Sequence, residues 1–143
     1  MSEVEILIVE DNSSELELTL YALKKYHIAN HIVVLRDGAE VIEYLFGTKS
    51  ENLYPARLPK LILLDLKLPK INGIEVLRRI KGDARLQNIP IVVMTSSRQD
   101  QDLDECYRLG VNSYLVKPVN FDQFTEAIRQ VGFYWILLNQ RQH

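Results

Sequence analysis

Cysteine is nearly absent from this 143-residue chain, which carries only Cys106. One thiol forms no internal disulfide, so a disulfide-stapled scaffold is excluded and a reducing cytoplasm is the expected setting. Cys106 falls in a helical pattern, where it reads as a small core residue rather than a nucleophile. Charge bias is lacking too. Seventeen Lys and Arg against nineteen Asp and Glu give a net charge of −2, which offers no electrostatic footprint for nucleic acid. No apolar run approaches the ~20 residues of a membrane-spanning helix. The opening MSEVEILIVED is acidic and has no basic n-region, so it does not read as a signal peptide. Internal repeats, low-complexity tracts and an interdomain linker are also missing. So are the nucleotide fingerprints: no G-x-G-x-x-G follows the first apolar run, and G-x-x-x-x-G-K-[ST] occurs nowhere. With 47% apolar and 25% charged residues, the chain reads as one globular domain over 1–143, large enough to bury a real core.

What is present is alternation. Five short aliphatic runs, EILIV (5–9), HIVVL (31–35), LILLDL (61–66), IVVM (91–94) and SYLV (113–116), have strand length. Each is nearly continuous, as expected of strands buried on both faces. Amphipathic stretches separate them. Ser14 with Glu17 reads as a capping box ahead of Leu16, Leu20 and Leu23. Asp37 with Glu40 repeats the device before Val41, Ile42 and Leu45. Ile74, Leu77 and Ile80 share one side of a third helix that ends near Gly82, and a fourth runs to Gly110 as its C-cap. Asn120 with Gln123 opens the last. Five strand–helix units in strict alternation predict a parallel five-stranded sheet with helices on both faces, a doubly wound α/β sandwich. The polar stretch 47–60 reads as a surface connection into the third strand.

Ligands of open α/β sheets bind beyond the carboxyl ends of the strands. The first strand ends in Glu10-Asp11, the third in Asp65, the fourth in Thr95-Ser96-Ser97 and the fifth in Lys117-Pro118. Three converging carboxylates would raise one another's pKa, and a divalent cation would offset the repulsion. Oxygen-only ligands favour Mg²⁺, Mn²⁺ or Ca²⁺ over zinc. Mg²⁺ takes few carboxylates and leaves room for phosphate oxygens. Lys117 adds a cation and Thr95 a hydroxyl, completing the parts for phosphoryl transfer to a carboxylate.

The motifs ILIVEDN (6–12), LILLDLKLPKINGIEVL (61–77), VVMTSS (92–97) and YLVKP (114–118) together resemble the receiver domains of two-component response regulators over roughly residues 4–132. The resemblance implies the flavodoxin-like strand order 2-1-3-4-5. It implies that Asp65 is the phosphoacceptor for a sensor histidine kinase, and that Glu10, Asp11, Asp65 and the backbone carbonyl of Lys67 hold Mg²⁺. It also implies that Lys117 contacts the phosphoryl group through a chain made cis at Pro118, that Thr95 is the switch hydroxyl, and that Tyr114 is the aromatic that turns with it. Small Ser96 would leave the phosphate accessible, and Lys67 is a cation positioned to affect its lifetime. Such a protein is no enzyme beyond slow self-dephosphorylation.

The last helix, about 120–140, is predicted to extend past the usual end. Phe121, Phe124, Ile128, Val131, Trp135 and Leu138 form a heptad-like seam. Phe133, Tyr134, Ile136 and Leu137 make it apolar all round, which calls for a homodimer partner, with packing onto the sheet edge as the alternative. The chain closes at His143 without an output domain, so output is expected through a downstream protein. The long 47–60 loop and this tail are similar to regulators paired with cyanobacterial and bacterial phytochromes, which would make the kinase a phytochrome. Two other readings use the same residues. An aspartyl-nucleophile phosphatase usually has a second Asp where Lys67 stands. A phosphate-independent binding module would have lost an acid or the lysine, and none is lost here.

Overall fold

The computed structural model describes residues 6–25, 31–47, 58–96 and 101–131. Strands and helices alternate as β1 (Ile6–Val9), α1 (Ser13–Lys25), β2 (Ile32–Leu35), α2 (Gly38–Phe46), β3 (Leu61–Asp65), α3 (Gly73–Lys81), β4 (Ile91–Thr95), α4 (Asp102–Arg108), β5 (Ser113–Val116) and α5 (Phe121–Val131). All strand pairs are parallel, in the order β2-β1-β3-β4-β5. This is the flavodoxin-like arrangement expected from the sequence.

The continuous aliphatic runs follow from two separate cores. Leu7, Val9, Ile62 and Leu64 pack with Val41 and Leu45 of α2, Leu77 and Ile80 of α3, and Cys106 of α4. Ile6, Ile8, Leu61 and Leu63 pack on the opposite face with Leu16 and Leu23 of α1 and Phe124 of α5. Successive side chains point to opposite faces, so a strand covered on both sides must be apolar at every position. Each such Leu or Ile contributes about 1.5–3 kcal/mol on full burial. The outer strands also pack on both cores, through Val33, Leu35 and Tyr114 on one face and Ile32, Val34 and Leu115 on the other, but less deeply. β2 is only partly buried throughout, and β5 alternates, because each has a neighbour on one side only.

The caps refine the sequence reading. The N-cap of α1 is Asn12, not Ser14: its side chain accepts the Glu15 amide at 2.9 Å, and its carbonyl accepts the Leu16 amide at 3.0 Å. Asn ranks with Ser as a cap and stands just ahead of the helix, which leaves Ser14 exposed within the first turn. Asp37 caps α2 through the Glu40 amide at 2.8 Å, while the Glu40 carboxylate turns back to the Arg36 amide at 2.6 Å. Asn120 caps α5 through the Gln123 amide at 2.9 Å. Gly110, φ +93°, closes α4 as the left-handed residue beyond its Leu109 cap. The Gly110 and Val111 amides bond the Tyr107 and Cys106 carbonyls, a Schellman ending. The tail positions Phe133, Tyr134, Trp135, Ile136 and Leu137, and most of the 47–60 connection, lie outside the described residues.

Candidate functional site

The site lies where three strands end. Asp65 is the last residue of β3, and Glu10 and Lys117 each follow their strands by one residue. The hydrogen-bond ladder continues past the strand ends through the Glu10 amide to Leu35 (3.0 Å), Leu66 to Met94 (3.1 Å) and Lys117 to Thr95 (2.8 Å). Backbone rigidity therefore extends into the functional residues. Glu10, Asp65 and Thr95 are all buried although polar. A buried carboxylate needs compensating partners, and Lys117 supplies them.

The Lys117 ammonium stands 2.7 Å from Asp65 Oδ2 and 2.9 and 3.0 Å from the two Glu10 oxygens. It is aligned to donate to Glu10 Oε2, which also accepts the Asn12 amide at 3.2 Å. Glu10 Oε1 is close but has no aligned donor. Asp65 Oδ1 accepts the Lys67 amide at 3.0 Å. The Lys117–Pro118 peptide is cis. Tyr114 is half-buried on β5, edge-to-face with Tyr107 of α4 at 6.4 Å. Exposed Ser96 follows Thr95.

Oxygens of Glu10, Asp11 and Asp65 lie within 4.8 Å of one another, so the structure brings together the three predicted carboxylates. The set is all oxygen, which suits hard divalent cations, and the orphaned Oε1 of Glu10 keeps a lone pair to offer. Asp11 is exposed and lines a cleft of about 420 Å³ with Leu66, Lys67, Leu68, Pro69, Asn72 and Asp102.

Glu10 is pushed up to about 7, first by burial and then by its hydrogen bond to Asp65, with Lys117 opposing. Burial works against the Lys117 ammonium, yet its bonds to Asp65 and Glu10 outweigh burial and raise its pKa. An acid whose folded pKa exceeds its ordinary 4.5 keeps a proton that the unfolded chain releases, so the Glu10 contribution to stability declines as pH climbs from 4.5 to about 7. The Lys117 contribution is full below its ordinary 10.5 and is lost above it. Urea unfolding in EDTA tests the Glu10 effect by comparison with Glu10→Gln. The wild type is expected to lose stability relative to the variant across that window, and added Mg²⁺ to reduce the loss.

Two sequence features shape the approach to Asp65. Asn72 caps α3 through the Ile74 and Glu75 amides at 3.0 and 3.2 Å. Gly73 donates to the Leu66 carbonyl at 3.0 Å. A Cβ at Gly73 would collide with the Asp65 carbonyl oxygen and stand 2.6 Å from Leu66 Cα. Gly73→Ala is expected to cost about 1–3 kcal/mol in urea unfolding, the usual cost of overpacking.

Sequence reasoning missed Arg36. Its guanidinium donates to the Asp11 carbonyl at 3.1 Å and to Ser13 Oγ at 2.9 Å. An exposed arginine 25 residues away from its partner leaves no periodic signal.

A doubly wound parallel sheet with an acidic trio and a lysine at its carboxyl rim defines an α/β protein with its polar site where ligands of such sheets bind. The model of the response regulator receiver domain matches residues 6–129, and this chain belongs to that family. The chain is 40% identical over 139 residues to the probable methanogenesis regulatory protein FilR2 of Methanothrix harundinacea, covering 94% of this chain and 85% of that one. It is similar to the solved bacteriophytochrome response regulator AtBRR at 52% identity and a TM-score of 0.81, covering 92% and 94% of the two chains. It is also similar to the Mn²⁺-bound form of response regulator Rcp1, at 39% identity and a TM-score of 0.74, covering 93% and 94%. Rcp1 is a protein of Synechocystis. Receiver domains bind Mg²⁺ or Mn²⁺ at an acidic pocket, and Glu10, Asp11 and Asp65 form an acidic cluster in this chain. Among the described residues no helix is long and apolar enough to cross a membrane.

Proposed function

We propose that this receiver accepts a phosphoryl group on Asp65 from the phosphohistidine of a sensor kinase. The observation that carries the reading is the 2.7 Å contact between Lys117 and Asp65, set within the carboxylate trio. An Asp65 oxygen attacks phosphorus, the P–N bond breaks, and the imidazole leaves with the electron pair. Glu10, Asp11, Asp65 and the Lys67 carbonyl would hold Mg²⁺, with Mn²⁺ or Ca²⁺ as substitutes. Bound there, the ion supplies positive charge against the phosphoryl oxygens. Lys117 then exchanges part of its carboxylate contact for a phosphoryl oxygen, and the Thr95 hydroxyl donates to another. The phosphoryl group carries about −1.5 to −2 charge where the carboxylate carried one, and adds strong acceptor oxygens at one point. Movement of Thr95 and Lys117 toward that charge would shift β4, β5 and α4, with Tyr114 carrying the shift outward.

The proposed kinase is a phytochrome, on the strength of the similarity to AtBRR and Rcp1. The proposed output is a change in protein contacts, including a homodimer through the C-terminal stretch 133–137, in a cytoplasmic setting. The test is phosphotransfer from a prephosphorylated phytochrome kinase. Label is expected to move to the wild type, to be lost in alkali, and to respond to the kinase's light state. A kinase that retains its label in both light states overturns the pairing. Size exclusion with and without a phosphoryl mimic tests the dimer, and a monomer in both removes it.

A further inference from the structure

Three consecutive residues, Arg36-Asp37-Gly38, touch both loops that frame the acidic cluster. Arg36 reaches the β1–α1 loop through the Asp11 carbonyl at 3.1 Å and Ser13 Oγ at 2.9 Å. Its own amide is tied to Glu40, and its neighbour Leu35 accepts the Glu10 amide at 3.0 Å. On the other side, Asp37 Oδ2 lies 3.3 Å from Lys70 Nζ, and the Gly38 amide donates to the Pro69 carbonyl at 3.3 Å. Lys70 is the one described non-glycine residue at positive φ, 68°. Such a conformation is held by surrounding contacts rather than by intrinsic preference. Gly38 is obligatory for the fit: a Cβ there would collide with the Ile71 carbonyl oxygen and stand 2.6 Å from its carbon. The loop carrying Lys67 thus rests directly on the N-terminus of α2.

We infer that Arg36, Asp37 and Gly38 are positioning residues for the divalent cation, fixing the spacing between the Glu10-Asp11 loop and the Lys67 loop without contacting the ion. The inference rests on the cation-binding reading of the acidic cluster. A single Arg36 nitrogen, Nη2, donates to both oxygens, and the rigid guanidinium plane fixes the direction of its two N–H bonds, which a freely rotating lysine ammonium does not. The Arg36 side chain bonds the carbonyl of Asp11 and not its carboxylate, so the carboxylate stays available to the cleft. Partners that orient metal ligands typically change affinity about 10–100-fold when removed.

Mn²⁺ titration followed by electron paramagnetic resonance tests this on wild type, Arg36→Ala, Arg36→Lys and Gly38→Ala, without any phosphoryl donor. Arg36→Ala is expected to weaken Mn²⁺ about 10-fold, with Arg36→Lys recovering part of the loss. Amide exchange on the metal-free protein separates positioning from general loosening. Arg36→Ala should speed exchange at residues 11–13 and Gly38→Ala at 67–72, while the β3 and β4 core amides stay at wild-type rates. If Gly38→Ala does not fold, the two Arg36 variants carry the test. Wild-type Mn²⁺ affinity in Arg36→Ala overturns the inference, as does weakening accompanied by uniformly faster exchange. A wild type that binds no Mn²⁺ overturns the cation reading itself, and this inference with it.

Discussion

Asp65→Asn will fold and will take up no phosphoryl group. The substitution keeps size and shape in a site where Asp65 is almost fully buried. The amide oxygen can still accept the Lys67 amide, which now bonds Oδ1 at 3.0 Å. What disappears is the carboxylate charge 2.7 Å from the Lys117 ammonium, and with it the nucleophile of the proposed transfer. A second, independent signature follows from Glu10. Burial is the largest cause of its displacement to about 7, and the hydrogen bond and charge of Asp65 are further causes. In Asp65→Asn the burial cause stays and the charge cause goes, so Glu10 should titrate below its wild-type value. Carbon-detected NMR of the Glu10 carboxyl reads this directly. An unchanged Glu10 titration would mean that the two carboxylates do not share the site as described.

Lys117→Met is expected to have the larger effect on stability. Removing one partner of a buried charge group leaves the others uncompensated, at a typical cost of about 3–5 kcal/mol. Here two buried carboxylates share a single ammonium. The loss should depend on pH. Below 4.5 Glu10 is protonated in the folded and unfolded chains alike, and losing the ammonium leaves no Glu10 charge uncompensated. Above about 7 Glu10 ionises in the wild-type fold at Lys117's side, and the variant must either hold that charge alone or retain the proton. The difference in unfolding free energy between wild type and Lys117→Met should therefore be flat from 4.5 to about 7 and grow as pH rises above about 7, and Mg²⁺ should shrink it by supplying replacement charge. Urea midpoints in EDTA and in Mg²⁺ measure both. A loss that stays flat above that value would contradict the shared-ammonium arrangement. Lys117→Arg is not a silent control, because a planar fork does not reproduce a point charge among three oxygens.

The sheet order came with the receiver resemblance, and the positions of Asp65, Glu10, Asp11, Thr95 and Lys117 were legible because each stands at the end of a run of aliphatic residues. A buried strand has no other way to present a polar side chain to solvent than at its end. That Lys117 would sit beside Asp65 was legible from their shared rim; that its ammonium also holds both Glu10 oxygens was not. Only the fold joins positions 107 residues apart. The capping of α1 was misread because Ser14 and Glu17 match a motif that Asn12 satisfies earlier by its own side chain. The edge character of β2 was hidden because its aliphatic run matches those of the central strands. Arg36 was invisible for the reason that makes it interesting: its role lies in a loop carbonyl, and carbonyls have no sequence.

The central claim is that Asp65 is a carboxylate held ready for covalent phosphorylation beside a cation site. Intact-mass spectrometry after incubation with acetyl phosphate tests it most directly, with Mg²⁺ and with EDTA. The account predicts a single added phosphoryl group in Mg²⁺ and none in EDTA, located on Asp65 after borohydride reduction and digestion. Unmodified protein in both conditions, or an adduct at another residue, would contradict it.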